Sequence, residues 1–180
     1  DPRPPHVFAA GHRQGALNVV GNDSFAVRVG AVVPFGAPLV LLATDAHQVA
    51  ALRAQLATIG YDGVRGVADP VPDTGEDLAR TRVIDARAAK RFVDDGGLPV
   101  DVRERSEYDA GHVPSAIHIP YEQLESRLGE LPRGRDLVIY CASGVRSSLA
   151  ASLLDRRGVP AANLRGGFSA WVGADLPIDR

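Results

Sequence analysis

The feature that most constrains this chain is that it repeats itself. Asp101-Val102-Arg103 and the run Gly111-His112-Val113-Pro114-Ser115-Ala116-Ile117 stand one hundred positions after Asp1-Pro2-Arg3 and Gly11-His12-Arg13-Gln14-Gly15-Ala16-Leu17. The apolar run Leu137-Val138-Ile139-Tyr140 has a counterpart in Leu39-Val40-Leu41-Leu42, and Leu164-Arg165-Gly166 in Val64-Arg65-Gly66. Each match is short, but their common order and near-constant offset make chance a poor explanation. A fold read from either copy must therefore account for both.

The copies are unequal. A strand–helix pair, Arg82-Val83-Ile84 and then Ala86 to Asp94, precedes Leu98 to Val102 in the second copy, whereas the first begins at its Asp-x-Arg element. Between the copies, residues 69–77 are rich in proline, glycine and acid, which is the chemistry of a connecting segment. The expected division is residues 1–70, a linker at 71–80, and 81–180. The 180 residues contain no methionine. The expectation is a processed or excised piece whose first copy has its opening strand and helix upstream of this chain or has lost them.

Short apolar or β-branched runs alternate with amphipathic stretches. Val100-Asp101-Val102, Ile117-His118-Ile119 and Leu137 to Tyr140 read as buried parallel strands. Ser147 to Arg157 carries Leu149, Ala150, Leu153 and Leu154 on one helical face, with Gly158 as its stop. Ala46 to Ile59 behaves likewise, with Val49, Leu52, Leu56 and Ile59 apolar and Gly60 as the stop. Alternation of this kind makes an α/β fold with a mostly parallel sheet flanked by helices. Ligands of such sheets bind beyond the carboxyl ends of the strands.

Cys141, the one cysteine of the chain, stands at such a place. A single thiol excludes an internal disulfide framework and a multi-thiolate metal site, and it fits a reducing, cytoplasmic compartment. It ends the strand Leu137 to Tyr140 and opens the loop Cys141-Ala142-Ser143-Gly144-Val145-Arg146, with Ser147 expected at the helix start. Backbone amides of such a loop and the positive end of the helix stabilise a thiolate and hold an anion attached to its sulfur. Gly144 supplies a positive φ, Arg146 a permanent cation, and Ser147 a cap or a hydroxyl donor. A buried, inert cysteine is the ordinary alternative. The strand-end position, the glycine loop and the arginine favour a reactive one.

Together, Val100 to Arg103, Gly111 to Ala116, Cys141 to Ser147 and Leu164 to Trp171 resemble the rhodanese-type sulfurtransferase domain, over roughly Thr81 to Pro177. The resemblance implies two rhodanese-like domains, the first truncated, and a five-stranded, mostly parallel sheet in the second. It also implies a Cys141 that carries sulfane sulfur as a persulfide. Ser115 departs from the pattern, since the family usually has glycine there. The six residues from Cys141 to Arg146 match the sulfur-carrying loop. Related phosphatases and arsenate reductases have one more, so phosphate hydrolysis is the weaker expectation. The implied partners are a small sulfur donor, thiosulfate or a low-molecular-weight persulfide, and a thiol or cyanide-like acceptor. No cofactor is implied.

Supporting roles are expected for Asp101 and Arg103, which hold the loop-bearing end of the sheet together, and for Trp171, which packs the C-terminal segment against the core or lines the pocket rim. His112 is expected in a turn or behind the residues that touch substrate. The five histidines (His6, His12, His47, His112 and His118) form no metal-binding spacing, so no metal is expected. The first copy places Ala43 where the second has Cys141, and Asp45 there would repel an anion. It is expected to be a scaffold, with the insert from Gly21 to Gly36 offering a partner surface. An inactive copy before an active one also resembles the tail of fusions with a metallo-β-lactamase-fold, persulfide dioxygenase-like domain, which would lie upstream. A docking or regulatory module is the competing reading of the whole. The net charge of −2 and the absence of a long apolar run argue against nucleic-acid and membrane partners.

Overall fold

The computed structural model describes residues 1–71 and 78–180, and the chain divides into two compact units, Asp1–Arg80 and Thr81–Arg180. Part of the expected linker, residues 72–77, lies outside the described residues. Its end is not linker. Ala79 forms a two-way backbone bridge with His12, at 3.0 and 2.9 Å, and so belongs to the first unit.

The first unit runs α1 (Pro5–Ala10), α2 (Phe25–Val32), β1 (Leu39–Leu42), α3 (Ala46–Thr58) and β2 (Val64–Ala68). Strands β1 and β2 pair in parallel as a two-stranded sheet. Helix α3 starts where Asp45 accepts the Gln48 amide at 2.6 Å, and it ends before Gly60, whose φ is +75°. Its fully buried Leu52 and Leu56 are two of the four apolar positions read from the sequence.

The second unit runs β3 (Val83–Ile84), α4 (Ala86–Asp94), β4 (Leu98–Asp101), α5 (Arg105–Asp109), β5 (Ile117–His118), β6 (Leu137–Tyr140), α6 (Val145–Arg156), β7 (Ala161–Leu164) and α7 (Gly167–Gly173). Two single-turn 3₁₀ helices, Tyr121–Gln123 and Leu128–Glu130, separate β5 from β6. The sheet order is β3-β7-β6-β4-β5 with every neighbouring pair parallel. This is the α/β architecture with helices flanking a parallel sheet.

Strand β6 sits at the centre, and all four of its residues are buried. A strand covered on both faces must be apolar throughout, which is why Leu137 to Tyr140 reads as a continuous hydrophobic run. Val138 and Tyr140 join a cluster with Ala89 of α4, Leu164 of β7 and Trp171 of α7. The two-residue period of a strand turns Leu137 and Ile139 to the opposite face. Helix α6 packs against β6 and β7 and buries Leu149, Leu153 and Leu154 almost completely. Each such side chain contributes about 1.5–3 kcal/mol by leaving water.

The sequence repeat has a physical counterpart inside the two units. Val19 N donates to Asp1 O at 3.0 Å, and Ile119 N to Asp101 O at 3.0 Å. Arg3 reaches Asp1 and the Gly11 carbonyl, as Arg103 reaches Asp101 and the Gly111 carbonyl. His12 stacks on Phe8 at 3.7 Å and His112 on Tyr108 at 3.8 Å. The His12–Ala79 bridge recurs as His112–Asp179. Phe8 and Tyr108, and Ala79 and Asp179, are pairs that sequence comparison alone did not reveal.

Candidate active site around Cys141

Cys141 follows β6 directly, so the central strand fixes its position and the parallel sheet places it at the carboxyl end. The residue is 1% exposed. Its sulfur accepts the Gly144 amide at 3.2 Å. That approach needs the chain to double back within three residues, and Gly144 does this with φ +99°. Gly144 is also the residue that caps α6. The helix therefore begins at Val145, two residues earlier than expected, and its first amides, which have no intrahelical acceptor, lie within the loop itself.

This placement corrects the expectation of Ser147 as a cap and leaves it as a hydroxyl donor. It stands in the first turn of α6 rather than at the cap, fully buried, and its hydroxyl donates to Asn163 Oδ1 on β7 at 2.8 Å. Its polar group fastens helix to sheet. Ala142 is half-buried and Ser143 exposed, while Val145 and Arg146 are half-buried.

The loop is clamped from the far side by α7. Phe168 N donates to Cys141 O at 2.7 Å and Ser169 N to Ala142 O at 3.0 Å. For those amides to reach the loop, residue 167 must touch its backbone. A Cβ on Gly167 would stand 2.3 Å from Cys141 O and 2.7 Å from the Ala142 carbonyl. The Gly166-Gly167 pair in the sequence was the available signal for this close approach, and its role was not read from it.

Arg146 is held by Glu107 of α5. Its Nη1 donates to Oε2 at 2.6 Å and its Nη2 to Oε1 at 2.8 Å. The Glu107 hydrogen bonds raise the guanidinium above the ordinary arginine range against its partial desolvation, and the charges of Cys141 and Glu104 add to the effect. In return the bond to Arg146 holds the Glu107 carboxyl below the usual carboxylate range, against its own partial burial. The sequence offers the segment from Arg103 to Tyr108 as pocket rim, but not Glu107 as the partner of Arg146. Glu107 lies thirty-nine residues from Arg146, and only the capping box it makes with Glu104 has a local signature.

Asp101, beside Tyr140 in the sheet, and Arg103 are both buried. Arg103 binds Asp101 through two nitrogens, donates to Gly111 O at 2.7 Å, and lies 4.2 Å over the Phe168 ring. It thus ties β4, the turn at Gly111 and helix α7 together. Trp171 is buried, and its Nε1 donates to Pro177 O at 2.7 Å, which holds the C-terminal segment. His112 packs on Tyr108 in the turn after α5, with Nδ1 3.1 Å from Tyr108 O. Among the described residues no three His, Cys, Asp or Glu side chains come together as a metal site. Nor is any described helix long and apolar enough to cross a membrane.

In the first unit Ala43 follows β1 as Cys141 follows β6. There the Asp45 carboxylate takes up the first-turn amide of α3. The end of that helix which could face an anion is occupied by the chain's own.

A cysteine at the carboxyl end of the central strand, bonded to an amide of a tight loop at a helix N-terminus, defines an α/β protein with a single-thiol strand-end loop. The rhodanese-like domain family matches residues 76–174, more than half of the chain, and the chain belongs to that family. It is 43% identical over 82 residues to a protein named sulfurtransferase from Allochromatium vinosum, covering 45% of this chain and 77% of that one. It is 35% identical over 78 residues to the putative sulfurtransferase YtwF of Bacillus subtilis, covering 43% and 76%. The crystal structure of a rhodanese-related protein from Thermoplasma volcanium superposes with a TM-score of 0.51 at 28% identity, over 54% of this chain and 97% of that one. Other curated relatives are much longer, and this chain matches as little as 30% of their length.

Proposed function

We propose that the second unit is a sulfurtransferase that carries sulfane sulfur on Cys141. The observation that carries this reading is the Sγ–amide contact at Gly144, 3.2 Å long, at the N-terminus of α6. An amide donor and a helix N-terminus beside a sulfur favour negative charge on an atom bonded to it, which supports this reading. The names of the relatives above point the same way.

The reaction has two halves. The Cys141 thiolate attacks the outer sulfur of thiosulfate or of a low-molecular-weight persulfide. The new S–S bond forms as the donor's S–S bond breaks, and sulfite or a thiolate leaves with the electron pair. Cys141 is then a persulfide anion, and a thiol or cyanide-like acceptor attacks its outer sulfur and restores the thiolate. The first unit, with Ala43 at the cysteine position, serves as a scaffold of the same ancestry, and a metallo-β-lactamase-fold domain is the proposed larger partner.

Intact mass after incubation with thiosulfate tests the proposal. One added sulfur that cyanide removes, and that is missing from Cys141→Ser, is the expected result. No adduct with thiosulfate or a small persulfide, or an adduct that survives the substitution, would overturn it and leave the docking module as the better reading.

A further inference from the structure

Resting on the sulfur-transfer reading above, we propose that Glu107 is a positioning residue that sets the charge of the donor. By holding Arg146 in a two-point ion pair, it reserves the Cys141 loop for singly charged donors of the organic persulfide or thiosulfonate class over doubly charged thiosulfate.

Arg146 is the one cation among the six residues from Cys141 to Arg146. A dianion entering this loop would look to it first, because a planar guanidinium binds oxyanions through paired N–H groups. In this protein both terminal nitrogens already face a carboxylate, at 2.6 and 2.8 Å. Glu104, whose charge also acts on Arg146, is exposed and screened by water and salt. Arg103 is fully engaged with Asp101 and Gly111 O, its side chain 5% exposed, and Arg105 is paired with Asp109. Arg165, beyond β7, is exposed, so water and salt screen it. The incoming donor thus meets the half-buried Glu107 carboxylate, the attacking thiolate and an arginine whose charge is already answered.

A second negative charge on the donor therefore adds repulsion without adding a side-chain cation to answer it. One unit of charge a few ångströms from a half-buried carboxylate alters binding on the order of tenfold. The transferable sulfur need not differ. Methanethiosulfonate and thiosulfate both present a terminal sulfur on an S–S bond. Attack by the Cys141 thiolate gives the same persulfide anion, with methanesulfinate or sulfite leaving with the bonding pair.

The test compares kcat/KM for these two donors, with cyanide as acceptor, in the full chain and in Glu107→Gln at one ionic strength. Intrinsic donor reactivity cancels when the ratio in one protein is divided by the ratio in the other. The expected result is that preference for methanethiosulfonate falls by about tenfold in Glu107→Gln, chiefly through a lower KM for thiosulfate. A ratio unchanged by the substitution overturns the proposal, and a merely structural role for Glu107 would leave it unchanged. If circular dichroism shows that Glu107→Gln has lost its fold, the unsubstituted chain decides. Its preference must narrow as KCl is raised from about 20 mM to about 0.5 M, and indifference to salt overturns the proposal. Failure of the unsubstituted chain to take sulfur from either donor would instead fell the sulfur-transfer reading on which this rests.

Discussion

Arg103 closes a fork on Asp101, two residues before it in the chain, with Nη2 2.6 Å from Oδ2 and Nε 3.0 Å from Oδ1. Burial works against the charge of Arg103, and the hydrogen bonds and charge of Asp101 more than offset it. Arg103→Ala would leave the Asp101 carboxylate buried without its counter-ion. The expected loss is about 3–5 kcal/mol of unfolding free energy, read from urea denaturation of the second unit's transition. Arg103→Lys keeps a charge but not the fork, and should fall between the two. A variant as stable as the unsubstituted chain would show that the pair is not what ties β4 to the Gly111 turn.

Ser115 has φ +61° and is exposed, in the turn between α5 and β5. A left-handed conformation costs an L-residue roughly 1–2 kcal/mol that glycine does not incur, and part of that gain is returned as entropy of the unfolded chain. Ser115→Gly should therefore stabilise the protein by about 0.5–1 kcal/mol, seen as a higher urea midpoint with an unchanged slope. Destabilisation would mean that the Ser115 hydroxyl, which donates to Pro114 O at 2.6 Å, outweighs the backbone.

Gly144 and Gly167 both adopt positive φ, at +99° and +58°, but they differ in what surrounds them. A methyl at 144 would meet Gly166 N at 3.5 Å, an ordinary contact, whereas at 167 it would overlap the Cys141 and Ala142 backbone. Gly167→Ala must therefore displace α7 or the loop. The expected cost is about 2–4 kcal/mol, with sulfur loading of Cys141 slowed by more than about tenfold because the thiolate moves. Gly144→Ala should cost about 1–2 kcal/mol, from its backbone alone. Stopped-flow loading and urea melts on both variants check the order. Equal effects would contradict it.

Glu107 titrates below the ordinary carboxylate range because Arg146 favours its charged form. In the unfolded chain it binds a proton at higher pH than in the folded one. Its contribution to stability is therefore complete above about pH 4.5 and is lost as pH falls through the lower folded value. Thermal melts at pH 6, 4.5 and 3 should show a shallower acid decline for Glu107→Gln than for the unsubstituted chain. Parallel declines would mean that the ion pair contributes nothing to the acid limb.

Local chemistry made much of this protein legible before any coordinates. The run Leu137 to Tyr140 is apolar at every position because β6 is covered on both faces, and α4 occupies Ala86–Asp94 as read. The start of α6 was misplaced by two residues. Ser147 is a common cap type, but Gly144 alone could take the left-handed turn that brings its amide to the sulfur, and the helix follows that turn. Likewise Ala79 was read as linker. Its bond to His12 spans sixty-seven positions and leaves no mark on its neighbours in sequence.

By itself the sequence determined the repeat, the alternation of strand and helix, and the position of Cys141 at a strand's carboxyl end. These depend on residue type and on spacings of a few positions, where steric and hydrophobic preferences act directly. Only the tertiary structure decided that Arg146 is answered by Glu107, that Ser147 is spent on Asn163, and that α7 clamps the loop through Gly167. Each joins side chains or amides that are distant along the chain, and their distances are set by how the parallel strands stack. The thiol was visible in the sequence, and the ion pair that stands beside it in space was made by the fold.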